Sequence, residues 1–295
     1  MRVVRAATTA ALLLTLGLAP LAAQQPPSTD IFLADLDLTT SPPRLDNVRN
    51  LTDRDGYDNQ PSFEPEGRGL LYTSSRDGQT DIYRITLATG VSDQLTETLE
   101  SEYSPTVMPG GLELSVVRVE EDGTQRLWAF RRDGSAPRLL LESIAPVGYH
   151  AWGQAGAVVL FVLGEPPTLQ LANVESGEAE VLASDIGRSL ARLPDDTGFS
   201  FAQRTDDTLT LRLLRDDGNE ITSLGEALTD SQDLAWVPDG RMLMAQGSQL
   251  YIRRSGGNWQ PVVDLADQNV RGITRIAVSP DGSALALVAE RPAAQ

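Results

Sequence analysis

The stretch "SFEPEGRGLLYTSSRDGQTDIYRITL", residues 62–87, consists of three short strand-like runs separated by two turns. The first turn joins Pro65 to Gly67, and the second is formed by Asp77 and Gly78. Proline presets φ for a turn and glycine accepts its strained position, so both sites favour tight hairpins. The stretch therefore predicts three consecutive antiparallel strands.

The same arrangement recurs along the chain at a nearly constant interval. Its marker residues are Pro65, Pro109, Gln154, Pro194, Pro238 and Pro280, at intervals of 44, 45, 40, 44 and 42 residues. Each unit continues with a third strand, such as "DIYRITL" (81–87), then a turn and a fourth run. Four strands in a repeat of about 40–45 residues are typical of a β-propeller blade. The sequence therefore predicts an all-β fold: a six-bladed β-propeller of four-stranded antiparallel blades over residues 24–295.

The stretch "DIFLADL", residues 30–36, matches the third strand "DIYRITL" but lacks the two strands that should precede it. After Thr274, two strand-like runs flank Pro280, and no third and fourth follow. An open ring of sheets would expose unpaired strand edges, which invite aggregation. We therefore expect the amino-terminal strands, within residues 30–52, to complete the carboxy-terminal blade and close the ring.

The best-defined unit, residues 61–96, reads "PSFEPEG", "LLYTSSRDG", "DIYRITLATG" and "QLT" in order, and "WVPDG" (236–240) and "VSPDG" (278–282) repeat its turn. These repeats resemble the WD40-like repeats of the TolB-type propeller family. The resemblance implies a stand-alone propeller of that superfamily, without the α/β domain that precedes the propeller in TolB. It also implies contacts with proteins of the cell envelope, but it names no partner.

The first 23 residues have the pattern of a secretory signal peptide. Arg2 and Arg5 precede the apolar run "AATTAALLLTLGLAP", and small residues follow before a polar break. Cleavage is predicted near Ala23, which places the mature chain in the periplasm or outside the cell. A membrane anchor is the alternative, but the run is shorter than the ~20 residues of a spanning helix. We expect no transmembrane segment in the mature chain.

Composition excludes several kinds of chemistry. The 295-residue chain has no Cys, and all 24 basic residues are Arg, so disulfides, thiolate sites and lysine Schiff bases are impossible. Its formal net charge of −17 repels nucleic acid. The single histidine, His150, rules out a multi-histidine metal centre, and the motifs of serine hydrolases, zincins and P-loop NTPases are absent. The sequence therefore favours a monomeric binding protein over an enzyme.

The strand order predicts where a partner would bind. In each blade the loop from the outermost strand to the next innermost strand lies on one face, here called the crossover face, and the Pro–Gly turns lie on the opposite, marker face. The crossover loops are residues 53–60, 97–104, 142–149, 183–189, 226–233 and 266–274, with 12 acidic residues and three arginines. We expect a negative rim that suits a basic protein surface, a cationic ligand or a divalent cation.

Candidate binding residues lie in or beside these loops, near the predicted channel mouth. They are Tyr57, Asp58, Asn59, Glu102, Tyr103, Tyr149, His150, Arg188, Asp233 and Arg275. Tyrosine and arginine are frequent interface anchors. The leading hypothesis is a binding or scaffold module that presents this rigid face to a protein partner of the cell envelope. Binding through the blade edges or the marker face is a further possibility.

A catalytic alternative depends on carboxylates at the mouth. Asp58, Glu102 and Asp233 are the candidates for a divalent-cation site in a propeller hydrolase or lyase. The stretch "DRDGYD", residues 53–58, alternates Asp53 and Asp55 and continues with Gly56, which suggests a Ca²⁺ loop with Asp58 as a further candidate ligand, but it lacks the distal glutamate of an EF-hand. The leading hypothesis therefore includes no cofactor, with Ca²⁺ as the alternative.

Overall fold

The computed structural model describes residues 27–291 except 217 and 219. This part of the chain contains 24 strands and a 3₁₀ turn, Ala266–Gln268. The predicted signal peptide, residues 1–23, lies outside the described residues. Within them, no helix has the length and the apolar character required to span a membrane.

The strands form six four-stranded antiparallel sheets, as predicted. The chain opens with β1 (Thr29–Asp37) and β2 (Arg44–Asn50). Blade 1 comprises β3 (Asp58–Phe63), β4 (Gly69–Arg76), β5 (Gln79–Thr86) and β6 (Val91–Gln94). Blade 2 comprises β7 (Ser101–Val107), β8 (Glu113–Val119), β9 (Gln125–Arg131) and β10 (Arg138–Leu139). Blade 3 comprises β11 (Val147–Trp152), β12 (Ala157–Val162), β13 (Thr168–Asn173) and β14 (Ala179–Ser184).

The remaining blades repeat this order. Blade 4 comprises β15 (Ile186–Arg192), β16 (Gly198–Thr205), β17 (Thr208–Arg215) and β18 (Ile221–Glu226). Blade 5 comprises β19 (Leu234–Trp236), β20 (Arg241–Gln246), β21 (Gln249–Arg254) and β22 (Gln260–Asp264). Blade 6 comprises β23 (Arg275–Val278), β24 (Ala284–Glu290), β1 and β2. The fold is therefore a six-bladed β-propeller, and even blade 3, whose marker is Gln154, has all four strands.

The ring closes as the sequence predicted. Strand β1 pairs antiparallel with β24 over seven residues, from Thr29 opposite Glu290 to Asp35 opposite Ala284. On its other edge β1 pairs with β2, so the sheet order is β2-β1-β24-β23. Strands from the two ends of the chain thus share one sheet and leave β24 without an open edge.

A buried carboxylate reinforces this closure on the crossover face. Asp30 is 1% exposed. It accepts hydrogen bonds from Asn50 Nδ2 at 2.9 Å and Thr52 Oγ1 at 3.3 Å. It also forms an ion pair with Arg291 Nη1 at 3.0 Å. The backbone N–H of Arg54 donates to it as well, at 3.3 Å. Asp30 therefore joins β1, the loop after β2 and the end of β24.

The core lies between the blades and follows the two-residue period of strands. On β24, Leu285 and Leu287 pack toward blade 5, whereas the alternate residues Ala286 and Val288 pack toward blade 1. On β4, Leu71 packs against blade 2, on the side opposite blade 6. Each blade is therefore apolar on both faces, and each interface needs both neighbours.

Removal of the Asp30 carboxylate tests the closure. Asp30→Ala is expected to lower the free energy of unfolding by about 2 kcal/mol, because it leaves the amide of Asn50 and the backbone N–H of Arg54 without their buried acceptor and removes the buried partner of Arg291. Asp35→Ala is the matched control on the same strand: Asp35 is exposed and accepts one hydrogen bond, from Asn47. We expect the control to cost less than about 1 kcal/mol in urea denaturation. Equal effects of the two substitutions would contradict the role given to Asp30.

Candidate functional site

The innermost strands β3, β7, β11, β15, β19 and β23 surround a central channel, and their amino ends meet at the crossover face. The predicted mouth residues lie at these ends because every crossover loop leads into an innermost strand. The structure accordingly brings Tyr57, Asn59, Tyr149, Asp233 and Arg275 together around the channel, although they are up to 218 residues apart in sequence.

Arg275 crosses the channel and connects four blades. From β23 in blade 6, its Nη2 donates to the hydroxyl of Tyr149 at 2.7 Å, in blade 3 on the opposite side of the ring. Its Nη1 donates to Asp233 Oδ1 at 2.9 Å beside blade 5, and its Nε to Asn59 Oδ1 at 3.1 Å in blade 1. The guanidinium also lies 4.9 Å from the centre of the Tyr149 ring. It therefore partly closes the channel near its crossover end.

Asp233 is shared between two guanidinium groups. Besides Arg275, it accepts hydrogen bonds from Arg188 Nε at 3.1 Å and Nη2 at 2.5 Å. Arg188 Nη2 also donates to the carbonyl oxygen of Thr274 at 3.1 Å. Two positive charges and one negative charge leave this centre positive. The expected negative charge is thus not found at Asp233, whose carboxylate is already compensated.

Three tyrosines form the outer part of the mouth. Tyr57, Tyr103 and Tyr149 line a cavity of about 330 Å³, here called the mouth cavity, together with Val117 and Leu163. Burial raises the pKa of Tyr57 to about 12, so its hydroxyl stays protonated at physiological pH. The cavity can therefore accept an apolar or aromatic group and offer phenol hydroxyls for hydrogen bonding.

The aspartates of residues 53–58 pair with two different arginines. Asp58 is fully buried and accepts hydrogen bonds from Arg54 Nη1 at 2.8 Å and Ser74 Oγ at 2.6 Å. Asp53 and Asp55 are exposed and pair with Arg291 at 3.3 and 3.1 Å. The structure therefore gives these side chains structural contacts and does not bring them together as a Ca²⁺ loop would require.

Glu102 is buried where β7 packs against blade 1. Its Oε1 accepts a hydrogen bond from Thr98 Oγ1 at 2.5 Å and lies 3.5 Å from Arg118 Nε. Burial raises the pKa of Glu102 to about 7, and the charge of Asp81 adds to this rise. The hydrogen bond from Thr98 lowers the pKa but does not offset the effect of burial. Asp58, Glu102 and Asp233 thus have different partners, and the described residues contain no cluster of three or more potential metal ligands.

His150 lies inside the channel wall. Its Nε2 is 2.7 Å from Ser115 Oγ, which also accepts a hydrogen bond from Trp152 Nε1 at 2.8 Å. Burial lowers the pKa of His150 to about 4, so the ring is neutral at physiological pH. His150 Nδ1 has no carboxylate partner among the described residues, and Ser115 is fully buried, which favours a structural role over a place in a catalytic triad.

The negative charge lies farther out than the sequence suggested. Many acidic residues of the crossover-face loops are exposed and form no ion pair with a described residue. They are Asp77, Glu97, Glu121, Asp122, Glu142, Glu165, Asp185, Asp206, Asp207, Glu226, Asp230 and Asp267. The face therefore combines a compensated centre with an acidic periphery.

Sequence reasoning missed two apolar residues of this face. Leu99, in the loop between blades 1 and 2, is 96% exposed, and Leu163, after β12, is 38% exposed. Leu99 stands between Thr98 and Glu100, whose carbonyl oxygens both accept hydrogen bonds from Gln79 Nε2. A lone leucine among the acids of "ETLESE", residues 97–102, was the available signal.

No family model and no curated protein matches the chain. Among solved structures it is similar to a TolB-type protein from Agrobacterium tumefaciens, at 16% identity and a TM-score of 0.72, over 90% of this chain and 99% of that one. It is also similar to a chain of a nidogen/laminin complex, at 11% identity and a TM-score of 0.66, over 84% and 97% of the two chains. A gluconolactonase from Xanthomonas campestris aligns at 12% identity and a TM-score of 0.62, over 82% and 88%. At such identities the likeness shows the shared propeller fold.

The buried carboxyl of Glu102 gives a pH prediction. In the unfolded chain it ionises near its ordinary pKa of 4.5, whereas the fold keeps its proton up to about pH 7. Between these values the folded state binds the additional proton, so stability falls as pH rises. Glu102→Gln is uncharged at every pH. We expect the stability of this variant not to show the fall caused by ionisation of Glu102. Above pH 7 its free energy of unfolding should exceed that of the wild type by up to about 3 kcal/mol.

Urea denaturation between pH 4 and 8 measures this difference, and Glu97→Gln, at an exposed position in the loop before β7, is the control. His150 acts in the opposite sense, because its lowered pKa makes stability fall as pH drops through 6.5 toward 4. That contribution cancels when the variant is compared with the wild type. A difference between variant and wild type that does not change with pH would contradict the prediction.

Proposed function

We propose that this chain is a protein-binding module of the cell envelope, periplasmic or secreted, that presents its crossover face to a basic partner. The observation that carries the proposal is an exposed leucine, Leu99, on an acidic face that also contains a tyrosine-lined cavity. The secretory pattern of residues 1–23 and the TolB-type repeats support the location.

The apolar contribution comes from Leu99, Leu163 and the three tyrosines of the mouth cavity. A single exposed leucine is common on protein surfaces. Here Leu99 lies four residues before Tyr103 and Leu163 lines the same cavity as Tyr103. Aromatic side chains surrounded by polar residues are frequent hot spots, because they bury a large apolar area with little loss of conformational freedom.

The surrounding acids contribute attraction at longer range. Glu97, Asp230 and Asp267 are exposed and have no ion-pair partner among the described residues. Opposite charges on a partner would accelerate its encounter with this face and orient it. The acids near the centre are paired internally, so a partner does not have to replace existing ion pairs. The proposal therefore assigns attraction to the periphery and contact area to the mouth.

The mouth is held rigid before a partner arrives. Arg275 fixes Tyr149 and Asn59, and Arg118 contacts both Glu100 and Glu102 beside the Leu99 loop. A surface that is already ordered loses little conformational entropy on binding. The closed ring of blades thus supports binding by fixing the positions of its loops.

The same substitution, leucine to arginine, made on each of the two faces tests this proposal. Leu99→Arg is expected to abolish retention of the partner that the wild type captures from native envelope extracts, because it removes an apolar contact and adds repulsion toward a basic surface. Leu112→Arg is the matched control, since Leu112 is 81% exposed in a marker-face turn. Mass spectrometry identifies the retained protein, and titration of the purified partner measures the affinity.

Charge reversal provides a second arm. The triple variant Glu97→Arg, Asp230→Arg and Asp267→Arg is expected to lower the affinity for the purified partner by about tenfold or more. It is also expected to reduce the salt dependence of association. Loss of the partner with Leu112→Arg but not with Leu99→Arg would move the interface to the marker face. Capture that is unaffected by all these changes would contradict binding at the crossover face.

An enzymatic function is the second candidate, supported by the likeness to a gluconolactonase and by the pKa of Glu102, which is suited to proton transfer near neutrality. Against it, Asp58, Glu102 and Asp233 have separate partners. We expect neither Ca²⁺, Mn²⁺ nor EDTA to change the melting temperature. A rise in Tm with a cation that Asp58→Asn with Glu102→Gln abolishes would support the enzyme instead.

A further inference from the structure

The middle of the channel contains a polar chamber that the proposed function does not use. This throat chamber has a volume of about 180 Å³. Its wall includes Ser62, Ser104, Thr106, Arg188, Ser189 and Arg275. A small cavity with several hydroxyl groups and two guanidinium groups has the composition of a site for a small polar ligand.

The charge of the chamber favours an anion. Arg188 and Arg275 share the single carboxylate of Asp233, so one positive charge is in excess. Arg188 Nη1 donates to no described residue, because the hydrogen bonds of this side chain come from Nε and Nη2. A guanidinium with unused N–H donors binds carboxylates through charge-assisted hydrogen bonds. The chamber therefore offers a donor and a charge that the fold itself leaves unmatched.

Two residues of the wall contain a buried polar atom without a hydrogen-bond partner. Ser104 Oγ and His150 Nδ1 are both buried without a partner among the described residues. His150 is only 8% exposed. Buried polar atoms in folded proteins are nearly always satisfied by protein, water or ligand. The residues of the wall therefore retain hydrogen-bonding capacity that the described residues do not satisfy.

Access comes from the marker face. A wide vestibule of about 940 Å³ opens there, and Thr106, His150 and Leu190 line both it and the throat chamber. On the crossover side, the hydrogen bond between Arg275 and Tyr149 spans the channel. A small molecule would thus reach Arg188 from the vestibule without displacing a partner bound at the mouth cavity.

We propose that the throat chamber binds a small organic carboxylate, with Arg188 as the main donor and the neighbouring serine and threonine hydroxyls as additional partners. The ligand enters through the vestibule. The throat chamber shares Gln60 and Tyr149 with the mouth cavity, but its entrance lies on the marker face, so the ligand and a partner at the crossover face approach from opposite sides. Asp233 does not repel the ligand strongly, because two guanidinium groups already compensate its charge.

Calorimetric titration with lactate tests the proposal, with lactamide as the uncharged analogue. We expect saturable binding of lactate and at least about tenfold weaker binding of lactamide, since the amide cannot form charge-assisted hydrogen bonds with Arg188. Triglycine and its carboxy-terminal amide form a second pair of probes. Binding of triglycine that is tighter than that of lactate would assign the site to a peptide carboxyl terminus and overturn the proposal for a small molecule.

Two variants locate the binding, and two others serve as controls. Arg188→Met removes the donor, and Ser62→Leu fills the chamber while both arginines stay. Each variant is expected to lower the affinity for lactate by at least about tenfold. Arg271→Met, an exposed arginine of the loop before β23, is the matched control and should bind as the wild type does. Leu99→Arg should also bind lactate normally, which separates this site from the proposed protein interface.

Several results would overturn the proposal. They are an absence of saturable lactate binding, equal binding of lactate and lactamide, or lactate binding that Arg188→Met and Ser62→Leu leave unchanged. Urea denaturation shows whether Arg188→Met is folded, and Ser62→Leu provides the answer if it is not, because Ser62 makes no side-chain hydrogen bond to a described residue.

Discussion

The pairing of β1 with β24 is the interaction on which the rest of this structure depends. It supplies blade 6 with its two outer strands and covers an edge that would otherwise be open. It also completes two cores at once, because Phe32 packs toward blade 5 and Ile31 toward blade 1. The channel, the mouth cavity and the throat chamber all lie between blades that this pairing holds in a closed ring.

Burial decides how charge is arranged in the molecule. A carboxylate removed from water needs a close positive partner, whereas an exposed one does not. Accordingly Asp30 pairs with Arg291, Asp58 with Arg54, and Asp233 with two arginines, while many exposed acids of the crossover-face loops form no ion pair with a described residue. An acidic protein thus acquires a positive channel centre. The acidic periphery and the positive channel centre are therefore suited to ligands of opposite charge.

The repeat made the fold predictable, and topology made the position of the mouth predictable. Marker turns at regular spacing fixed the number of blades, and the strand order placed Tyr57, Tyr149 and Arg275 at one end of the channel. Many acids of the crossover-face loops are exposed without an ion pair to a described residue, whereas Asp233, counted among the acids of the predicted rim, pairs with Arg188 and Arg275. Counting acids within a loop could not show that Asp233 meets Arg275, 42 residues away, or Arg188, 45 residues away.

The amino-acid sequence by itself determined the blade, its number and the closure of the ring, because each depends on local turn chemistry, the two-residue period of strands and an unpaired edge. Only the tertiary structure decided which charges are neutralised, that Leu99 projects into solvent, and that Arg275 joins opposite blades. These properties depend on distances between segments far apart in the chain. A repeat sets the path of the backbone, but side-chain partners across a channel are fixed only when all six blades are in place.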